Sequence, residues 1–229
     1  MKHNLFTRML SYLTEIQIEF IQSDYNTDLQ VLLKNGRYQL CTPHAIYSYA
    51  DKYDNFRLTF ERLQLETNTI NNVLLLGFGL GSIPYMLEKK FGKKYAYTGV
   101  ELDEAVIYLA SKYVMDELKS EIELIHADAY AFISQNKIKY DLICIDIFID
   151  DKIPEIFLTK EFLCLASETL SKNGCLLFNH LAHNVSDITQ AKAYFNDIFS
   201  KVFPDGSYLD VNKNMLMVSA GDRWIKVQN

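Results

Sequence analysis

An apolar run at residues 73–76 ends in Gly77-Phe78-Gly79-Leu80-Gly81-Ser82, and a helix pattern begins directly afterwards. Glycine has no Cβ, so the chain can turn sharply there and a ligand can approach the backbone. The helix start that follows offers free N–H groups and a positive dipole end to an anionic or polar group. A dinucleotide fingerprint would place its third glycine at position 82, where Ser82 stands; here the spacing is G-x-G-x-G. Glu101 closes the next strand-like run, at the tip from which an acid can accept both hydroxyls of a ribose. The alternative is that Glu101, like Asp103, caps the helix beyond it. Asp128 follows the third run and either caps the next helix or accepts from the exocyclic amine of a nucleobase, or does both.

Asp146 closes the fourth run at the same rim, with Asp150 and Asp151 in the loop beyond. A carboxylate at a strand tip among other acids can hold an amine or take its proton. It could equally fix the loop through backbone N–H groups. Its neighbours Leu142, Ile143, Cys144, Ile145, Ile147 and Phe148 are apolar, which predicts a desolvated carboxylate with a raised pKa, and Asp150 should push the same way. His180 and His183 follow the fifth run, as substrate contacts or ordinary surface histidines. No further ligands stand at metal-site spacing beside them, so no metal is expected.

Positioning these residues takes an alternation of strands and helices. Strand-like runs at 73–76, 95–100, 122–125, 142–145 and 175–178 alternate with helix patterns at 83–91, 104–118, 129–134, 159–170 and 187–199. That order predicts an α/β fold, a mostly parallel Rossmann-like sheet with helices on both faces. Runs at 207–211 and 215–219 are close enough to form an antiparallel hairpin at the C-terminal side. Before the alternation, E-I-Q-I-E-F at 15–20 alternates as a half-buried strand does, and runs at 29–33 and 37–41 flank Asn35-Gly36. That dipeptide accepts positive φ at both positions and favours a type I′ turn. A small antiparallel β meander over residues 1–50 is therefore expected ahead of the main domain at 51–229. A helix at 51–66, with Phe56, Phe60 and Leu63 on one face, should open that domain.

The chain has 229 residues, 49% of them hydrophobic, enough for a real core and against intrinsic disorder. Only 9 glycines and 4 prolines exclude collagen-like and linker-rich architectures. With 23 Lys+Arg against 29 Asp+Glu the net charge is −6, so no nucleic-acid partner is expected. The 4 cysteines include no C-x-x-C pair, and Cys144 reads as a small buried hydrophobe. Neither a signal peptide nor a bilayer-spanning run is evident, and a cytoplasmic protein that does not enter membranes is expected.

The segments VLLLGFGLGS, TGVELDEAVIYLASKYV, IHADAYAFI, YDLICIDIF, FLTKEFL and NGCLLF together resemble the class I S-adenosylmethionine-dependent transferases, and within them the spermidine synthase branch. The similarity spans residues 73–178 and extends weakly into the meander, where NGRYQL is similar to the family's D-G-x-x-Q-x turn. The resemblance implies that Gly77, Gly79 and Gly81 cradle the donor's amino-acid end. It implies that Glu101 binds the ribose and Asp128, with Ala129, the adenine, and that Asp146 matches the catalytic aspartate. By the same resemblance Gln39, Tyr47 and Asp150 are candidate acceptor-binding residues, and His180 joins them from its place after the fifth run. Several family features are missing: Leu80 stands where G-G-G-D-G has its acid, Ile149 where D-x-x-D has its second, and Tyr47-Ser48-Tyr49 where Y-H/Q-E is usual.

Three functions follow from this pattern. The first is methyl transfer from S-adenosylmethionine to a small-molecule acceptor. The second is aminopropyl transfer from the decarboxylated donor at an altered amine site. The third is a non-catalytic nucleotide-binding relative, disfavoured because the glycines, Glu101, Asp128 and Asp146 occur together at the strand tips. The loss of an acid at position 80 favours a donor whose tail carries a carboxylate. The acceptor and the oligomeric state stay open, a homodimer among the options.

Overall fold

The computed structural model describes residues 5–227. After a short helix α1 (Leu5–Leu10) come β1 (Ile16–Ile21), β2 (Leu29–Lys34), β3 (Arg37–Cys41) and β4 (Ile46–Ser48), paired antiparallel in that order. Asn35 and Gly36 both have positive φ, 50° and 70°, as the β2–β3 turn requires. Helix α2 (Asp54–Arg62) then leads into β5 (Asn72–Leu76), α3 (Ser82–Lys89), β6 (Ala96–Glu101), α4 (Glu104–Tyr113), β7 (Glu121–His126) and α5 (Ala129–Gln135). Next come β8 (Tyr140–Ile145), α6 (Lys160–Thr169), β9 (Leu170–Leu181) and α7 (Val185–Tyr194). A π-helical segment at Phe195–Phe199 joins α7 to α8 (Ser200–Val202), and β10 (Ser207–Val211), β11 (Asn214–Val218) and α9 (Gly221–Trp224) complete the fold.

The second sheet has the order β10-β11-β9-β8-β5-β6-β7. Pairing is parallel from β9 to β7, and β11 runs antiparallel to both of its neighbours. Chain order reverses between β5 and β8, and in open α/β sheets the crevice beyond the strand tips at such a reversal receives ligands. Both central strands are apolar where both their faces are covered, over residues 73–76 and 142–145. Val73, Leu75, Leu142, Cys144 and Leu177 pack on one side, Leu74, Leu76, Ile143, Ile145 and Phe178 on the other. The first core also holds Leu29, Val31, Leu33 and Leu40 of the small sheet with Phe56 and Phe60 of α2, so the meander and the parallel sheet share one interior.

The structure adjusts several expected boundaries. The helix expected at 51–66 shortens to α2, because residues 50–52 form a 3₁₀ turn and Leu63 turns extended to bridge Ile225. Strand β4 was not anticipated, and β9 starts at Leu170 rather than at residue 175. The four cysteines are free thiols, with Cys144 fully buried. Among the described residues no helix is long and apolar enough to cross a membrane.

Candidate functional site

A cleft of about 1140 Å³ opens over the tips of β5, β6, β8 and β9. It is roomy enough for a nucleoside-sized ligand beside a second small molecule. Two glycines set its floor. Gly77 sits at φ +85°, and a Cβ there would lie 2.2 Å from the Asp146 carbonyl oxygen, so the tips of β5 and β8 close only around glycine. Gly79 sits at φ +55°, with Tyr47 O only 3.2 Å from where a Cβ would stand. Ser82, at the fingerprint's third-glycine position, ties the loop to β4: its Oγ lies 2.6 Å from Ser48 Oγ and accepts from the Tyr49 N–H at 2.8 Å.

Glu101 braces this loop. Its Oε2 accepts from the Phe78 and Gly79 N–H groups at 3.0 and 3.1 Å, and its Oε1 from Leu102 and Asp103 at 3.0 and 3.2 Å. Two loop N–H groups expected to face a ligand are thus already engaged by the acid. Burial raises the Glu101 pKa, and the backbone donors only partly offset it. Asp103 caps α4 by accepting from Ala105 at 3.0 Å, and Asp128 caps α5 by accepting from Ala131 at 2.8 Å, so both capping roles are present. Glu101, Asp128 and Ala129 all line the cleft; Leu80 does not, being 2% exposed in the core beneath the small sheet.

Asp146 stands where β8 ends, its backbone N–H bonded to Leu76 O at 2.8 Å. Its Oδ2 accepts from the Tyr53 hydroxyl and its Oδ1 from Asn179 Nδ2, both at 2.9 Å. Asn179 is in turn oriented by Asn214 Nδ2, which donates to its Oδ1 at 2.9 Å. Burial pushes the Asp146 pKa up to about 6; the two hydrogen bonds pull it down, and the charge of Glu101 raises it. The raised value agrees with the sequence expectation, but the contributing acid is Glu101, not Asp150. Asp150 instead accepts from Thr42 Oγ1 at 2.6 Å, and its N–H donates to the Tyr47 hydroxyl. Tyr47 itself donates to Asn26 Oδ1 at 2.9 Å. The residue after Asp150, Asp151, is an exposed loop acid, as its position suggested.

Tyr47, Asp150 and His180 line the cleft, whereas Gln39 is not among the lining residues: it is buried on β3 and its Oε1 has no hydrogen-bond partner. His180 is no surface residue either; it is 5% exposed, and burial lowers its pKa to about 3. His183 is exposed at the rim. Tyr53 and Asn179, the two partners of Asp146, went unrecognised in the sequence. Nine carboxylates and three lysines line the cleft, which makes it attractive to cations.

A family model described as "Methyltransferase small domain" matches residues 37–202. A probable polyamine aminopropyl transferase of Bifidobacterium longum (strain NCC 2705) is 30% identical over 141 residues, 61% of this chain and 30% of its own length. The polyamine aminopropyltransferase of Vibrio vulnificus (strain CMCP6) is 31% identical over 110 residues, 47% of this chain and 36% of its own. The chain therefore spans about a third of the length of the curated relatives it matches. Among solved structures, spermidine synthase from Thermotoga maritima superposes with a TM-score of 0.67 at 19% identity, over 91% of this chain and 72% of that one. Human methyltransferase-like protein 13 in complex with SAH gives 0.55 at 20% identity, over 66% and 71%. These superpositions show the same Rossmann-like fold.

Proposed function

Since this chain belongs to the methyltransferase small-domain family, we propose that it is an S-adenosylmethionine-dependent transferase that methylates a small-molecule acceptor. The observation that carries the choice of donor is Leu80. An aminopropyl donor ends in a bare ammonium and calls for an acid from the glycine loop, yet the side chain at that place is packed in the core. The cleft fits an adenosyl group: Glu101 stands at the β6 tip for the ribose, and Asp128 and Ala129 at the β7 tip for the adenine. When bound, S-adenosylmethionine supplies a sulfonium-activated methyl carbon. Asp146, held between Tyr53 and Asn179, takes the proton that the attacking group releases. Its pKa of about 6 leaves it ionised at neutral pH and basic enough to accept.

The second reading, aminopropyl transfer, is favoured by the names of both curated relatives and by the acidic lining of the cleft. Calorimetry with S-adenosylmethionine and its decarboxylated form side by side separates the two. Tighter binding of the carboxylated donor supports methyl transfer, tighter binding of the decarboxylated donor supports aminopropyl transfer, and binding of neither removes both.

A further inference from the structure

We propose that the floor of the cleft between β9 and α7 is an acceptor subsite for a planar, uncharged, hydrogen-bonding group, a phenol or an N-heteroaromatic ring, read by His180 and Tyr194. This rests on the transferase reading above and names the acceptor class for it. His180 and Tyr194 are 5% and 9% exposed, and both line the cleft. His180 Nε2 and the Tyr194 hydroxyl are two of the five buried side-chain polar atoms, among the described residues, that lack a hydrogen-bond partner. An unpaired buried polar atom destabilises a fold, so two of them on neighbouring rings call for a function.

The two rings form a wall backed by buried Phe178. His180 lies 4.4 Å from Phe178 and 4.8 Å from Tyr194, and Phe178 meets Tyr194 edge-on at 5.9 Å, centroid to centroid. The helical hydrogen-bond ladder changes to π form at Phe195, directly after Tyr194. Single π turns are concentrated at functional sites. Asn179, between Phe178 and His180 in sequence, reaches Asp146 from the opposite face of β9, and Asp146 lines the same cleft as the two rings. An aliphatic ammonium can meet an aromatic face, but it cannot stack along the wall and carries no acceptor for the Tyr194 hydroxyl proton. A flat ring can stack on the wall, donate to one orphan atom and accept from the other.

Fragment titrations into the protein saturated with S-adenosylhomocysteine test this, using p-cresol and 4-methylpyrazole, both uncharged at neutral pH, with n-butylamine as the aliphatic control. At least one aromatic probe should bind more tightly than n-butylamine and lose at least tenfold in affinity in both His180→Phe and Tyr194→Phe. Both variants should keep their affinity for S-adenosylhomocysteine and melt no lower than the parent, because each removes an unpaired polar atom. Aromatic binding that survives both substitutions, or a preference for n-butylamine, would overturn the subsite. So would lower melting temperatures in both variants, since the polar atoms would then serve the fold. Failure of the unmodified protein to bind S-adenosylhomocysteine would instead remove the transferase reading.

Discussion

The Tyr53 hydroxyl donates to Asp146 Oδ2 at 2.9 Å, joining the segment just before α2 to the tip of β8 across 93 residues of sequence. Asn179 from β9 takes the other carboxylate oxygen at the same distance. Three separate elements thus meet on one carboxylate, which fixes its orientation toward the cleft mouth formed by the β5 and β8 tips. Tyr53 is half-buried, and its desolvation together with the charge of Asp146 raises its pKa, so it remains a proton donor at neutral pH.

Tyr53→Phe should therefore affect chemistry more than binding. The hydrogen bond lowers the Asp146 pKa, so its loss should shift the acid limb of the pH–rate profile to higher pH. A loss of about 1.4 kcal/mol, as expected for one hydrogen bond to a charged group, raises the pKa by about one unit, so turnover should fall roughly 10-fold at pH 5 but only about twofold at pH 7. Donor affinity measured by calorimetry should change little. An unshifted profile would mean that Asp146 does not take the proton.

The cleft could be located from sequence because local pattern and topology coincide there. Continuous apolar runs mark β5 and β8 as central strands, and Gly77, the first glycine after β5, is required by the approach of the Asp146 carbonyl. Glu101 closes β6, Asp128 comes two residues after β7 and Asp146 directly follows β8, so all three stand at strand tips. What could not be read is which side chains turn back onto them. Tyr53 and Asn179 reach Asp146 through tertiary contacts that no local spacing encodes. Gln39 carried a motif-level expectation, but β3 is covered on both faces at its centre, so Gln39 is buried along with Tyr38 and Leu40. Asp150 was expected to raise the Asp146 pKa from sequence proximity, yet its positive φ of 53° and its tie to Thr42 engage it with the small sheet.

Glu101→Ala should weaken binding of S-adenosylhomocysteine by roughly 10- to 150-fold, the equivalent of about 1.5–3 kcal/mol for a charge-assisted hydrogen bond. Glu101→Gln should recover little of this, because an amide supplies one acceptor oxygen where Phe78, Gly79, Leu102 and Asp103 present four donors. Calorimetry on the two variants checks both statements. Equal binding by the parent and Glu101→Ala would reduce the residue to a brace for the loop.

Leu80→Asp asks whether the aminopropyl-type acid can simply be restored. It would place a carboxylate at a site 2% exposed among apolar side chains, where an unpaired charge is strongly destabilising. The expected outcome is a large drop in melting temperature, and no gain in affinity for the decarboxylated donor. A stable variant that binds that donor more tightly would show the loop able to turn its side chain into the cleft, and would favour aminopropyl ancestry for the site.

Stability against pH should expose two opposing titrations inside the cleft. Asp146 has its pKa raised from about 3.9 in the unfolded chain to about 6, so the folded state holds that proton more tightly. Its contribution is fully present below the unfolded value and is lost as pH rises through about 6, a change of about 3 kcal/mol. His180 works the other way: its pKa falls from about 6.5 to about 3, so its contribution is present above 6.5 and is lost as pH falls. Between pH 4 and 6 the two slopes have opposite sign and largely cancel. Asp146→Asn should unmask the histidine, giving a variant more stable than the parent at pH 8 but losing about 1.4 kcal/mol per pH unit below 6.5. His180→Phe should unmask the aspartate, so that stability rises as pH drops from 6 to 4. Urea titrations of the three proteins at pH 4.5, 6 and 8 would show this divergence, and parallel pH dependences would mean that neither group titrates as its surroundings dictate.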